Sequence, residues 1–224
     1  MISLIQTGEL ILRKTPFDLP VLISLFVSIF LIGLAKISHQ KTLETAFGTL
    51  FSMKTEISFN DSVKMHPVGS FALIINFLIG MALITFLSTK SLILDTTTHY
   101  LFSIGISLLL LLIHLTGIYI VGFISGALGR IQINQIFTIN FLHIAGIIAC
   151  IISIPWIINP QLSNSFTILA MVSLGALYIW RLLKILSVAL REKIPFYYLI
   201  LYLCTLEIFP VYFSVAVFWK NFNV

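Results

Sequence analysis

Four ionisable side chains stand where a membrane-embedded reaction or transport step would need them: Glu207, His114, His143 and Arg181. Each lies inside a long apolar run, and a charge at membrane depth is costly enough that its presence calls for a use. Glu207 interrupts the run Leu-Ile-Leu-Tyr-Leu-Cys-Thr-Leu-Glu-Ile-Phe-Pro ending at Pro210. Counted along helices rising about 1.5 Å per residue, His143 lies about seven residues inside its span and Arg181 about eight from the end of its own. On the same count Glu207 is about eleven residues deep and His114 about fourteen, so all four reach the same half of the bilayer or its midplane. Asn140 and Asn76 are placed to join them.

Three chemistries fit such a cluster. A carboxylate and an imidazole with shifted affinities for protons would make a proton or cation path. His114 and His143, on neighbouring helices of opposite direction, are a pair able to ligate a b-type haem, although no other haem signature accompanies them. The third is structural: an internal ion pair or hydrogen bond between Glu207 and Arg181 or a histidine would fix helix register. The structural use is the expected one, with no cofactor and no metal.

The elements that position these residues follow from composition. Of the 224 residues 59% are hydrophobic and 9% charged, against about 25% charged in a soluble domain. So much apolar surface exceeds what a core of this size absorbs, and the remainder must face lipid. Runs of about 20 apolar residues are long enough to cross a bilayer. They are expected near 19–38, 70–90, 100–128, 136–158, 165–189 and 196–219. Pro20, Pro67 and Pro195 suit helix starts, Asn159-Pro160 a stop, and Pro210 a kink. Between the first two spans, residues 40–65 place Leu43, Phe47, Leu50 and Phe51 near helical spacing among Lys41, Glu44, Lys54 and Glu56. That pattern predicts an amphipathic helix lying in the interface. The fold class is therefore all-α, one polytopic domain over 1–224 with about six transmembrane helices.

Basic residues set the orientation. Nine of the 13 Lys and Arg adjoin the connections after the first, third and fifth spans, and four lie on the other side. Positive-inside bias then puts those connections in the cytoplasm and both termini in the periplasm. The net charge of +5 is accounted for by this asymmetry and gives no reason to expect nucleic acid. The first 20 residues place their basic pair after the apolar stretch, the reverse of a signal peptide. Cys150 and Cys204 both fall within spans and read as small packing residues.

Two further sets could serve recognition. Gly122, Gly126 and Gly129 near the end of the third span would let another helix come close, either within the chain or from a partner subunit. Lys184, Arg191 and Lys193, beside Tyr197, form a basic and aromatic rim able to hold a lipid phosphate, which is also what simple interfacial anchoring produces. No HExxH, GxSxG, phosphate-cradling glycine loop or zinc-ligand spacing occurs, so no catalytic residue is assigned.

The closing segment Phe196-Tyr-Tyr-Leu-Ile-Leu-Tyr-Leu-Cys-Thr-Leu-Glu-Ile-Phe-Pro210, after the basic turn at Arg191 to Lys193, resembles the last helix of an uncharacterised family of Bacteroidota integral membrane proteins that carry a domain of unknown function. The order of elements is similar over nearly the whole chain. The resemblance implies an inner-membrane location in a diderm bacterium, places Glu207 and Cys204 in the family motif, and carries no activity. The absence of catalytic motifs, the short loops and the glycine face lead to the expectation of a non-enzymatic subunit or assembly factor of an envelope complex, with lipid and other membrane subunits as partners. The phylum of the family suggests secretion or gliding machinery as the candidate. The alternative is a small transporter or lipid flippase with a proton- or ion-coupled site around Glu207.

Overall fold

The computed structural model describes residues 19–38, 43–44, 47–48, 67–89, 96–124 and 128–191, with side chains omitted at 67, 113–114, 117–136, 185 and 188–191. Among the described residues there are five long α-helices and no strand: α1 (Leu19–Ser38), α2 (Pro67–Ser88), α3 (Thr96–Ile124), α4 (Leu128–Ile158) and α5 (Ser163–Arg191). Among the described residues four segments, Leu19–Ser38, Val68–Ser88, Phe137–Ile158 and Pro160–Lys184, are long and apolar enough to cross a membrane, and the continuous part of α3 described with its side chains, Thr96–Leu112, is apolar as well. The span expected at 196–219 lies outside the described residues. So does most of 40–65, where Leu43, Glu44, Phe47 and Gly48 are helical. Leu43 packs against Ala35, Ala72 and Leu73 while Glu44 is exposed, as an amphipathic segment requires, but Phe47 is exposed as well.

Helix α4 begins eight residues before its apolar span was expected to start. Arg130, Gln132, Asn134 and Gln135 continue the helix beyond the apolar part, because the backbone hydrogen-bond ladder propagates whatever the hydropathy of the side chains. For the same reason α3 starts at Thr96, ahead of Tyr100.

α2 and α4 form the interior. In their apolar spans 56% and 61% of residues are buried, against 22% for α1 and for α5. The two run parallel and almost touch. A Cβ on Gly146 would lie 2.6 Å from Phe77 Cα, and one on Gly80 would lie 2.9 Å from Ala149 Cβ and 3.0 Å from the Gly146 carbonyl oxygen. Small residues allow this approach, and dispersion contacts between close backbones are the main attraction available in lipid. Ala145, Ala149 and Cys150 continue the smooth surface of α4, all buried. Phe77, Leu111, Phe141, Leu142, Ile144 and Leu177 then fill one layer around the contact. Ile84, Ile152, Trp156 and Ala170 fill the next.

α5 folds back on α4 through a tight, uncharged turn. Asn159 N–H donates to the Pro155 carbonyl at 3.0 Å, and Pro160–Leu162 form a single 3-10 turn. Trp156 Nε1 donates to Ser163 Oγ at 3.2 Å, and Phe141 meets Tyr178 edge-on at 6.1 Å between ring centroids. These pairs, 156 with 163 and 141 with 178, fix an antiparallel register that carries Arg181 to the level of Thr138.

The α2–α4 contact has a direct test. Gly146→Val should destabilise the bundle by about 1–3 kcal/mol or more, the cost of overpacking against backbone that cannot move aside. Gly175→Ala, where a Cβ would meet nothing within 4 Å, should be tolerated. Thermal unfolding of the two variants in one mild detergent makes the comparison.

Candidate functional site

The interior holds a seam of polar side chains distributed over α1, α2, α4 and α5. Asn76, Asn140 and His143 have no exposed surface, and Arg181 has 1%. In hydrocarbon each polar atom must find a partner within the protein or its bound guests. The helices supply most of these partners one interface at a time.

Between α1 and α2, Ser28 Oγ–H donates to Asn76 Oδ1. Between α2 and α4, Ser70 Oγ and His143 Nε2 are hydrogen-bonded at 3.2 Å. Between α4 and α5, Arg181 Nη2 donates to Thr138 Oγ1 at 3.1 Å, and its guanidinium lies over the Phe141 ring, 5.2 Å from the centroid. That cation–π contact gives the buried charge an apolar neighbour with a negative face. Nearer the opposite end, Tyr100 OH donates to Ser24 Oγ, joining α3 to α1. Thr89 Oγ1 and His99 Nε2, 2.8 Å apart, tie the end of α2 to the start of α3, where His99 also stacks at 4.8 Å on Phe86. Remaining hydroxyls turn back on their own helices: Thr85 donates to the Met81 carbonyl at 2.8 Å and Ser153 to that of Ala149 at 2.8 Å.

Of the cluster expected from sequence, His143, Arg181 and Asn140 are all fully interior, and Asn76 with them. Asn140 precedes His143 by one turn on the same face of α4. His143 and Arg181 engage different neighbours, Ser70 of α2 and Thr138 of α4. The side chain of His114 lies outside the described residues, as does Glu207, so the ion pair, proton relay and haem pair that involve them are neither assembled nor broken by these contacts. Gly126, Lys193 and Tyr197 also fall outside, as do the surroundings of Gly122, Gly129 and Arg191. Lys184 is half-buried on α5. Among the described residues no three His, Cys, Asp or Glu gather as a metal site, and Cys150 is a buried free thiol.

The hydroxyl partners Ser28, Ser70 and Thr138 escaped sequence reasoning because a serine or threonine in an apolar helix most often bonds its own backbone. Gly80 and Gly146 escaped it as well. Their signal was present in the small residues Ala145, Gly146, Ala149 and Cys150, spaced three and four apart on one helix face.

Fold and seam together define a polytopic helical protein whose polar interior is divided among helix interfaces. The chain belongs to the family described as Domain of unknown function (DUF4271), whose profile matches residues 21–218. No curated protein matches the chain. No solved structure matches it either.

Removing one partner of each tie should be measurable. Ser28→Ala should cost about 0.6 kcal/mol and at most about 1.7, the range for hydrogen bonds between membrane helices. Thr138→Val, which takes an acceptor from a buried guanidinium, should cost about 1–3 kcal/mol. Reversible unfolding in mixed micelles reads both, and a larger loss for Ser28→Ala would reverse the expected ranking.

Proposed function

We propose that the chain is a non-enzymatic integral subunit or assembly factor of a larger cell-envelope complex in the inner membrane of a Bacteroidota bacterium. Both termini lie on the periplasmic side in this reading, supported by the nine-to-four division of basic residues. Protein secretion or gliding machinery is the candidate system.

The observation that carries the proposal is the way the polar seam is spent. Hydrogen bonds at Ser28, Ser70, Thr138, Ser24 and Thr89 each join one helix to another. Such ties hold a scaffold in one arrangement, whereas a carrier needs interfaces that part. The outward faces are correspondingly apolar. α1 presents Ile23, Phe26, Val27 and Phe30, and α5 presents Ile168, Leu169, Val172 and Ile179. These faces suit lipid and the apolar helices of other subunits alike.

A second reading, a small proton- or ion-coupled transporter, draws on Asn76 Nδ2 and His143 Nδ1. Both are buried without a hydrogen-bond partner. It also draws on Glu207, the acidic residue of the expected sixth span.

Mild-detergent purification of the tagged chain from its native membrane, followed by mass spectrometry, separates the two. The subunit reading expects stoichiometric recovery with other envelope membrane proteins. Migration alone in every detergent, together with intact envelope complexes after deletion, would overturn it. In that case, flux in proteoliposomes that Glu207→Gln abolishes while the protein stays folded would establish the transporter.

A further inference from the structure

The wedge where α1, α2 and α4 meet contains polar atoms that the helix ties leave over. Asn76 uses Oδ1 to accept from Ser28, and its Nδ2 is buried without a partner. His143 uses Nε2 with Ser70, and its Nδ1 is buried without a partner. Both side chains have no exposed surface.

The two groups share one region of the bundle. Phe77 of α2 is level with Gly146 of α4, so Asn76 stands level with Ala145 and His143 about two residues nearer the Ser70 end. Ile147, one turn beyond His143, packs against Ala35, Ala72 and Leu73, which places α1, α2 and α4 around the same space. Ser28 and Ser70, which bond to these two side chains, are both small.

An unpartnered amide N–H in an apolar interior is costly, and few native structures leave one so. The imidazole narrows the guest. If Nε2 accepts from Ser70, Nδ1 carries a proton and needs an acceptor. If Nε2 donates to Ser70, Nδ1 needs a donor. Asn76 Nδ2 needs an acceptor in either case. Water is the small guest that meets both states, since its oxygen accepts and its protons donate. Along the bundle His143 stands about two residues, roughly 3 Å, from the level of Asn76, so a guest between the helices can reach both groups.

We infer that the α1–α2–α4 wedge is an internal hydration site, holding water between Asn76 Nδ2 and His143 Nδ1. Buried waters of this kind typically make about three hydrogen bonds and belong to the fold. The site goes beyond the scaffold proposal: it would be present in a scaffold and a transporter alike, so its failure and the failure of that proposal are separate results.

Two measurements on the full chain in lipid nanodiscs test it. An experimental structure that resolves ordered solvent should show water peaks at about 3 Å from Asn76 Nδ2 and from His143 Nδ1. Either atom bonded directly to a protein acceptor, a dry gap, or a guest larger than water would overturn the inference. X-ray radiolytic labelling in water enriched in oxygen-18 should mark His143 despite its burial, because bound water generates hydroxyl radical beside it. The mark should be lost in Asn76→Leu. Should that variant fail to fold, Ser28→Ala, which leaves both water ligands in place, should retain the mark. An unlabelled His143 in the wild-type protein overturns the inference without any variant.

Discussion

The backbone contact between α2 and α4 governs the rest of this fold. Phe77 rests on Gly146 and Gly80 on Ala149 so closely that a methyl group at either glycine would collide with a neighbouring helix. In lipid there is little hydrophobic gain in burying one apolar helix against another, so the approach itself, with its dispersion contacts, supplies the attraction. Once α2 and α4 are joined, the remaining helices arrange around them: α1 and α3 against α2, and α5 as a hairpin on α4. The large side chains then fill the layers on either side of the contact.

The polar seam adds direction to this packing. Dispersion alone tolerates sliding and rotation, because one apolar surface resembles another. A hydrogen bond between two buried side chains does not. Ser28 with Asn76, Ser70 with His143 and Thr138 with Arg181 each set one interface at one depth. Arg181 shows the constraint most clearly: a guanidinium has five N–H donors, and its register on α4 brings it both an acceptor in Thr138 and an aromatic face in Phe141. The exposed surfaces of α1, α3 and α5 bear large aliphatic and aromatic side chains, which completes the division into a polar-pinned interior and an apolar exterior.

Much of this was legible in the residues. Apolar length alone located α1 and the apolar parts of α2, α4 and α5, because the hydrocarbon thickness imposes it. The interior position of His143, Arg181, Asn140 and Asn76 followed from the cost of exposing them to lipid. Partner choice was not legible. Whether His143 faces Ser70, or Arg181 faces Thr138, depends on rotation about each helix axis, and helices as uniformly apolar as α2 and α4 carry no amphipathic stripe to reveal it. Helix ends were hidden for a related reason, since hydrogen bonding carries α4 on to Leu128 through Gln135, Asn134, Gln132 and Arg130.

The central claim is that the buried polar groups act as ties between particular helices. A double-mutant cycle on Thr138→Val and Arg181→Met, followed by reversible unfolding in mixed micelles, tests it most directly. A true tie makes the losses non-additive, with a coupling of about 1 kcal/mol or more, as expected for a hydrogen bond to a charged group. Losses that add to within about 0.5 kcal/mol would mean that the two side chains act independently, and would contradict the account.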